Sequence, residues 1–159
     1  MVRSKERGSG TSTAHALRHE YESFIRTTPE ALWDAITSGE QTRRYFHGTR
    51  IESEWRVGAA VIYHSSHDGH IAVDGMVRHL ERPRRLSYTW NVRYDPERAG
   101  EAPSQVTWEI EPLGETCRLM LTHAFSEPSK TFREVKSGWN AILSSLKSLL
   151  ETGEPLSIP

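Results

Sequence analysis

Cysteine and long apolar runs are scarce in this sequence of 159 residues, and each scarcity excludes a class of protein. Cys117 is the only cysteine, so the chain can form no intramolecular disulfide and no four-thiolate zinc site. We interpret it as a small buried thiol in a reducing, cytoplasmic protein. No apolar run approaches the ~18 residues of a membrane-spanning helix. No apolar stretch follows the basic residues at the start, so neither membrane insertion nor a secretory signal is expected.

Net charge is also nearly absent. The chain has 20 Lys and Arg residues against 21 Asp and Glu residues, which leaves a formal charge of −1. A protein with so little net charge has no overall electrostatic field to attract nucleic acid or an anionic membrane surface. We therefore expect neither of them among its partners.

Catalytic motifs are missing as well. The sequence contains no G-x-S-x-G elbow, no glycine-rich phosphate loop and no H-E-x-x-H zinc motif. One cluster has metal-ligating residue types: His64, His67, Asp68 and His70. It adjoins the hairpin signal Asp68-Gly69, so its side chains should lie on an exposed tip where nothing braces them. We predict no catalytic residue, no metal site and no cofactor.

The chain is best interpreted as one domain behind a short tail, since domains average roughly 150 residues. Residues 1–18 are polar and contain a small-residue run, GSGTST, which is typical of a flexible segment. Alternation of apolar and polar residues starts near His19, so the domain is predicted to cover residues 19–159.

Within the domain the pattern predicts one strand, two short helices, six strands and one long helix. Thr28 is placed as the N-cap of a helix from Pro29 to Ser38, which Gly39 would end in the left-handed conformation; a second piece covers 40–46. Strands are predicted at 49–53, 59–64, 70–80, 84–93, 104–113 and 116–125, separated by turn residues. Six strands in series without helices between them indicate an antiparallel meander.

The last segment, 129–152, is predicted to be the helix that covers the sheet. Its apolar residues recur at helical spacing: Val135, Trp139, Ile142, Leu146 and Leu149. The strands alternate so that one sheet face is apolar and the other polar. This order predicts an α+β helix-grip fold, in which a curved antiparallel sheet wraps around a long C-terminal helix.

Four segments in this order are similar to a known family. They are residues 28–37 (TPEALWDAIT), 81–90 (ERPRRLSYTW), the pair 106–110 and 116–123 (VTWEI and TCRLMLTH), and 137–140 (SGWN) with Leu143 and Leu146. Each resembles a motif of the heat-shock protein 90 ATPase activator homologues, which belong to the START-like (SRPBCC, polyketide-cyclase-like) superfamily. The resemblance covers His19 to about Gly153.

The resemblance implies a cavity between the sheet and the C-terminal helix. The sequence departs from the family at Gly58-Ala59, where a Gly-Gly pair is common. The pairing of the strand that follows is therefore not predicted. The eukaryotic activators also have a separate N-terminal domain that is important for ATPase stimulation. This chain resembles only their C-terminal domain.

Six side chains are predicted to face the space between sheet and helix, and they form the candidate ligand site: Tyr88, Trp90, Trp108, Leu121, His123 and Trp139. Aromatic side chains suit a flat apolar molecule, yet core packing explains the same pattern. His123 stands on an otherwise apolar face. It either binds or protonates a ligand, or is a structural histidine bonded to a backbone carbonyl or a tyrosine.

Three functions follow from these observations. The first is a non-catalytic domain that binds a small hydrophobic or aromatic molecule. The alternative is a chaperone-associated protein of the stress response, with a heat-shock protein 90 chaperone as partner. The third is a cyclase-like or hydrolase-like enzyme that uses His123 with Tyr88, an idea that rests on fold analogy alone.

Overall fold

The computed structural model describes residues 17–158, and the prediction of a flexible tail falls mostly on residues 1–16, outside the described residues. Arg18 already belongs to the first strand. The elements are β1 (Arg18–Ile25), α1 (Pro29–Thr37), α2 (Gly39–Tyr45), β2 (Thr49–Ser53), β3 (Ala60–Ser65), β4 (Ile71–Glu81), β5 (Arg85–Val92), a 3-10 turn (Pro96–Arg98), β6 (Ser104–Leu113), β7 (Thr116–Ala124) and α3 (Lys130–Thr152).

All seven strands form one antiparallel sheet in the order β1-β7-β6-β5-β4-β3-β2. Strands β2 to β7 follow one another as a meander, which confirms the prediction from the turn signals. β1 lies beside β7, where His19 is opposite His123 and Tyr21 is opposite Leu121. The curved sheet, the two short helices after β1 and the long C-terminal helix confirm the helix-grip fold.

The start of α1 follows the predicted chemistry, but its end does not. The Thr28 hydroxyl accepts a hydrogen bond from the Ala31 backbone N–H at 3.1 Å, and Pro29 occupies the first turn. The helix ends at Ser38 with extended backbone, so the prediction of a left-handed Gly39 is wrong. Gly39 begins α2 instead. A Cβ there would lie 2.9 Å from the Ile51 carbonyl oxygen, so close packing of α2 on β2 requires glycine.

The covering helix α3 has clear signals at both ends. The Ser129 hydroxyl accepts from the Phe132 N–H at 3.1 Å, and Gly153, with a φ of 88°, ends the helix in the left-handed conformation. Between these caps one face of α3 is buried, at Trp139, Ile142, Leu143, Leu146 and Leu149 among others. That face supplies one wall of the candidate site.

The Gly58-Ala59 turn does not disturb the sheet. The Gly58 N–H donates to the Val77 carbonyl, and the Val77 N–H donates to the Ala59 carbonyl, both at 2.9 Å. β3 therefore pairs with β4, with one bulge between Tyr63 and His64. Within residues 17–158, no helix is long and apolar enough to cross a membrane.

Candidate functional site

The space between sheet and α3 contains a continuous set of aromatic rings. Neighbouring rings lie 4.3–6.5 Å apart between centroids. The set divides into two regions. A closed region around His123, Trp108 and Leu121 is fully buried. An open region around Tyr63 and Trp90 borders a pocket.

In the closed region, His123 belongs to a hydrogen-bonded chain with no free member. The Trp139 indole N–H donates to His123 Nδ1 at 3.0 Å. An indole nitrogen can only donate, so Nδ1 is an acceptor and Nε2 carries the proton. His123 Nε2–H then donates to the Ser104 hydroxyl at 2.8 Å, and that hydroxyl donates to the Trp90 carbonyl at 3.3 Å.

These hydrogen bonds explain how a histidine tolerates complete burial. Burial lowers the pKa of His123 to about 3, with a smaller contribution from His19. The neutral ring satisfies Trp139 and Ser104, whereas a proton on Nδ1 would face the indole N–H. Both ring nitrogens of His123 are therefore bonded within the protein. Its partners are a tryptophan and a serine, and the expected carbonyl or tyrosine partner was wrong.

A second series of hydrogen bonds runs from the closed region to the open one. The Trp108 indole N–H donates to the Tyr88 hydroxyl at 3.0 Å, and the Tyr88 and Tyr63 hydroxyl oxygens are 2.6 Å apart. Burial raises the pKa of Tyr88 to about 12 and that of Tyr63 well above its usual value, so both phenols are neutral at physiological pH. Tyr88 and His123 have separate partners, and nothing couples them as an acid–base pair.

The pocket lies at the open region and has a volume of about 470 Å³. It is open to solvent on one side. Strands β3, β4 and β5 form one wall, α3 forms the opposite wall, and the turn after α2 closes an end. Its lining is mainly apolar and aromatic: Phe46, His47, Thr49, Tyr63, Ser65, Ala72, Val73, Trp90, Tyr94, Glu134, Val135, Gly138, Trp139 and Ile142.

Two of the six predicted residues line this pocket. Trp90 and Trp139 stand in its walls, with ring centroids 5.5 Å apart. The other four are packed in the closed region and are at most 1 % exposed: Tyr88, Trp108, Leu121 and His123. For these four, the alternative of core packing describes the structure.

Sequence reasoning did not assign the other twelve lining residues to the site, and three of them differ in the signal that the sequence offered. Tyr63 alternates with Val61 on β3, so the strand pattern contained a signal for its inward direction. Gly138 is a glycine inside a helix, which is itself an anomaly worth interpreting. Phe46 lies outside any strand or helix, and no periodicity points to it.

The pocket mouth is braced by a buried arginine. The Arg98 side chain, 3 % exposed, bonds to Glu134 on α3 and donates to Asp95 at 3.1 Å. It also donates to the Tyr94 hydroxyl at 3.2 Å and the Thr131 hydroxyl at 3.3 Å. These contacts fix the segment after β5 against the first turn of α3. Tyr94 and Glu134 are thereby held at the rim.

The histidine-rich tip lies elsewhere and has ordinary surface contacts. His64 pairs with Glu52 and His70 pairs with Asp68, both at 2.9 Å. In the described part of the chain, no group of three or more His, Cys, Asp or Glu side chains is arranged to hold a metal ion. Cys117 is a fully buried free thiol, as interpreted from the sequence.

The fold and the pocket define a helix-grip domain with an aromatic cleft between sheet and C-terminal helix. Residues 26–151 match the family described as Activator of Hsp90 ATPase homolog 1-like protein. The match covers most of the chain, and the protein belongs to this family. The resemblance of the four sequence motifs is thus confirmed.

Solved structures give the same fold. MLL2253 from Mesorhizobium loti is 26% identical with a TM-score of 0.70, over 84% of this chain and 96% of that one. The Aha1 dimer from Colwellia psychrerythraea is 20% identical (TM-score 0.67, 86% and 97% covered). PFC0360w, an HSP90 activator from Plasmodium falciparum, is 23% identical (TM-score 0.67, 84% and 95% covered). A search among curated proteins finds no match.

Proposed function

We propose that this protein is a non-catalytic binding domain that holds a small aromatic or hydrophobic molecule in the pocket between its sheet and α3. One observation carries the proposal: an aromatic pocket of about 470 Å³ is open between the sheet and α3. Its volume falls in the range of small-molecule sites, and its walls are mainly apolar. The satisfied hydrogen bonds of His123 favour binding over catalysis at this site.

Gly138 supports the proposal because glycine is costly inside a helix, by roughly 1 kcal/mol relative to alanine. A Cβ at Gly138 would meet nothing within 4 Å, so packing does not require glycine there. Gly75 on β4 is a contrasting case, since its Cβ would lie 1.7 Å from the Thr89 carbonyl oxygen. Gly138 lines the pocket, and its missing side chain leaves the helix wall open.

The expected affinity is modest. A compact ligand that buries on the order of 300 Å² gains about 7 kcal/mol at 25 cal/mol/Å². Association costs several kcal/mol of this gain. We therefore expect micromolar or weaker binding for a ligand without specific polar contacts.

Filling the pocket tests the proposal. Gly138→Leu places a side chain in the open space without a backbone clash and removes the helix penalty, so it should abolish binding while the melting temperature stays equal or rises. Ser137→Leu is the matched control, because Ser137 is exposed on the same helix turn. Tryptophan fluorescence is the measurement, with a panel of aromatic compounds, polyketides and fatty acids as ligands. Failure of every ligand to bind the wild type, or equal binding by Gly138→Leu, would overturn the proposal.

The family match favours a second candidate, a chaperone-associated protein that contacts a heat-shock protein 90 chaperone. The chain corresponds to one of the two regions of the eukaryotic activators, so we expect little stimulation of chaperone ATPase activity. An ATPase assay at micromolar protein tests this expectation. A several-fold rate increase would favour the co-chaperone function over small-molecule binding.

A further inference from the structure

A second cavity adjoins the aromatic pocket. It has a volume of about 340 Å³ and is also open to solvent. His47, in the turn after α2, and Ile142, on α3, line both cavities and form the boundary between them. The second cavity continues along α3 at Ala141 and Ser145. A molecule that extends from the pocket past this boundary therefore enters the second cavity.

The segment that follows α3 forms one wall of the second cavity. The Ser148 hydroxyl donates to the Glu154 carbonyl at 2.8 Å, and the Leu156 N–H donates to the Ser145 hydroxyl at 3.1 Å. The segment thus turns back along α3, because its later residues contact earlier helix positions. Leu156 and Ile158 both line the cavity. This return places two apolar side chains beside the pocket boundary.

The second cavity offers apolar surface that remains partly in water. Leu156 and Ile158 are 46 % and 50 % exposed. Covering such side chains with an apolar chain is favourable. Among the described residues that line this cavity, none is Asp or Glu. The Arg44 side chain already donates to the Gly153 carbonyl at 3.1 Å. The cavity therefore suits an apolar chain better than a charged group.

The two cavities together set the length of molecule that they can hold. The pocket reaches Glu134 on α3, and the second cavity reaches Ser145. At 1.5 Å per residue, this part of the helix is about 16 Å long. Ile142 is fixed in the helix between them, whereas His47 is exposed on its turn. Exposed side chains change rotamer within nanoseconds, so His47 can move aside for a ligand.

From these contacts we infer that the ligand is an elongated hydrophobic molecule. One end lies among the aromatic rings of the pocket, and an apolar chain passes His47 into the second cavity, where Leu156 and Ile158 cover it. This inference rests on the proposed function, because it names the ligand class of the same site. It also adds the second cavity and the segment after α3 to that site.

Two probes that differ only in chain length test the inference: 4-phenylbutan-1-ol and 10-phenyldecan-1-ol. Tryptophan fluorescence measures their affinities, because Trp90 and Trp139 line the pocket. Each CH₂ group that leaves water raises the affinity about fourfold, so the long probe should bind the wild type about a hundredfold more tightly. Ala141→Phe fills the second cavity and should lower this ratio about tenfold. The affinity of the short probe should stay unchanged, since Ala141 does not line the pocket.

Two further variants separate the possible outcomes. The matched control is Ser137→Phe, which adds the same ring at an exposed position of α3 that lines neither cavity and should leave the ratio unchanged. A double variant, Leu156→Ala with Ile158→Ala, removes the apolar cover beyond the end of α3 and should also lower the ratio about tenfold. An unchanged ratio in the double variant overturns this inference alone, even where Ala141→Phe does not fold. No binding of either probe by the wild type overturns the proposed function as well.

Discussion

The two halves of the aromatic core use similar residues for different purposes. In the closed region, the side-chain polar atoms of His123 and Ser104 all have partners, and Trp108, Leu121 and His123 are at most 1 % exposed. In the open region, Tyr63 and Trp90 border a pocket of about 470 Å³. The comparison shows that aromatic content alone does not mark a binding site. The two regions differ in the open volume that lies beside the rings.

The largest expected effect is the difference in stability loss between two substitutions that each remove a buried side chain. Leu121→Ala removes three carbons from the closed region and should cost about 4 kcal/mol of unfolding free energy. Ile142→Ala removes as many from the pocket wall and should cost only about 2 kcal/mol, because that space already adjoins a void. Urea unfolding measures both values. Equal losses would contradict the division into two regions.

The next effect is a loss of stability in acid that comes from His123. Its native pKa of about 3 lies below its unfolded value near 6.5, so the unfolded state binds the proton first as pH falls. The contribution of His123 to the free energy of unfolding is present above about pH 6.5 and is lost progressively as the pH falls towards 3. From about pH 7 to about pH 4.5, the loss should be roughly 2 kcal/mol.

The measurement is urea unfolding at several pH values, compared with His123→Gln. The variant should be less stable at neutral pH, since it cannot keep both bonds in place. Its stability should also change by roughly 2 kcal/mol less over the same pH interval. A wild type and variant with parallel pH profiles would show that His123 titrates normally in the native state.

The smallest effect compares Gly138, inside α3, with Gly153, the cap at its C-terminal end. Gly138→Ala should stabilise the protein by up to about 1 kcal/mol, because it improves helix propensity and its Cβ meets no atom. Gly153→Ala should instead destabilise by about 1 kcal/mol, because Gly153 has a φ of 88°. Thermal melts of both variants distinguish the signs. A loss of stability in Gly138→Ala would mean that packing, not an open pocket, requires this glycine.

Much of the fold follows from local sequence signals. Strand alternation places Leu86, Tyr88 and Trp90 on the covered face, and turn residues separate the strands. Thr28 caps α1 as predicted, and Ser129 caps α3 with the same chemistry. Gly39 is the informative failure. Its role comes from contact with β2, and a contact across the fold has no local signal.

The candidate site was less predictable than the fold. Period-two alternation identifies which face of a strand is covered, but it contains no information on which part of that face α3 fills. Trp90 and Trp108 have the same sequence pattern, and only one of them borders the pocket. Phe46 and Tyr63 reach the pocket because the fold places the end of α2 and strand β3 around the same space as α3.

By itself, the sequence determined the order of the elements, the covered sheet face and the family, because these depend on periodicity and on motifs along the chain. The tertiary structure alone decided the partners of His123 and the division into a closed and an open region. These properties depend on the distances between atoms of different strands and helices, which local patterns leave undetermined.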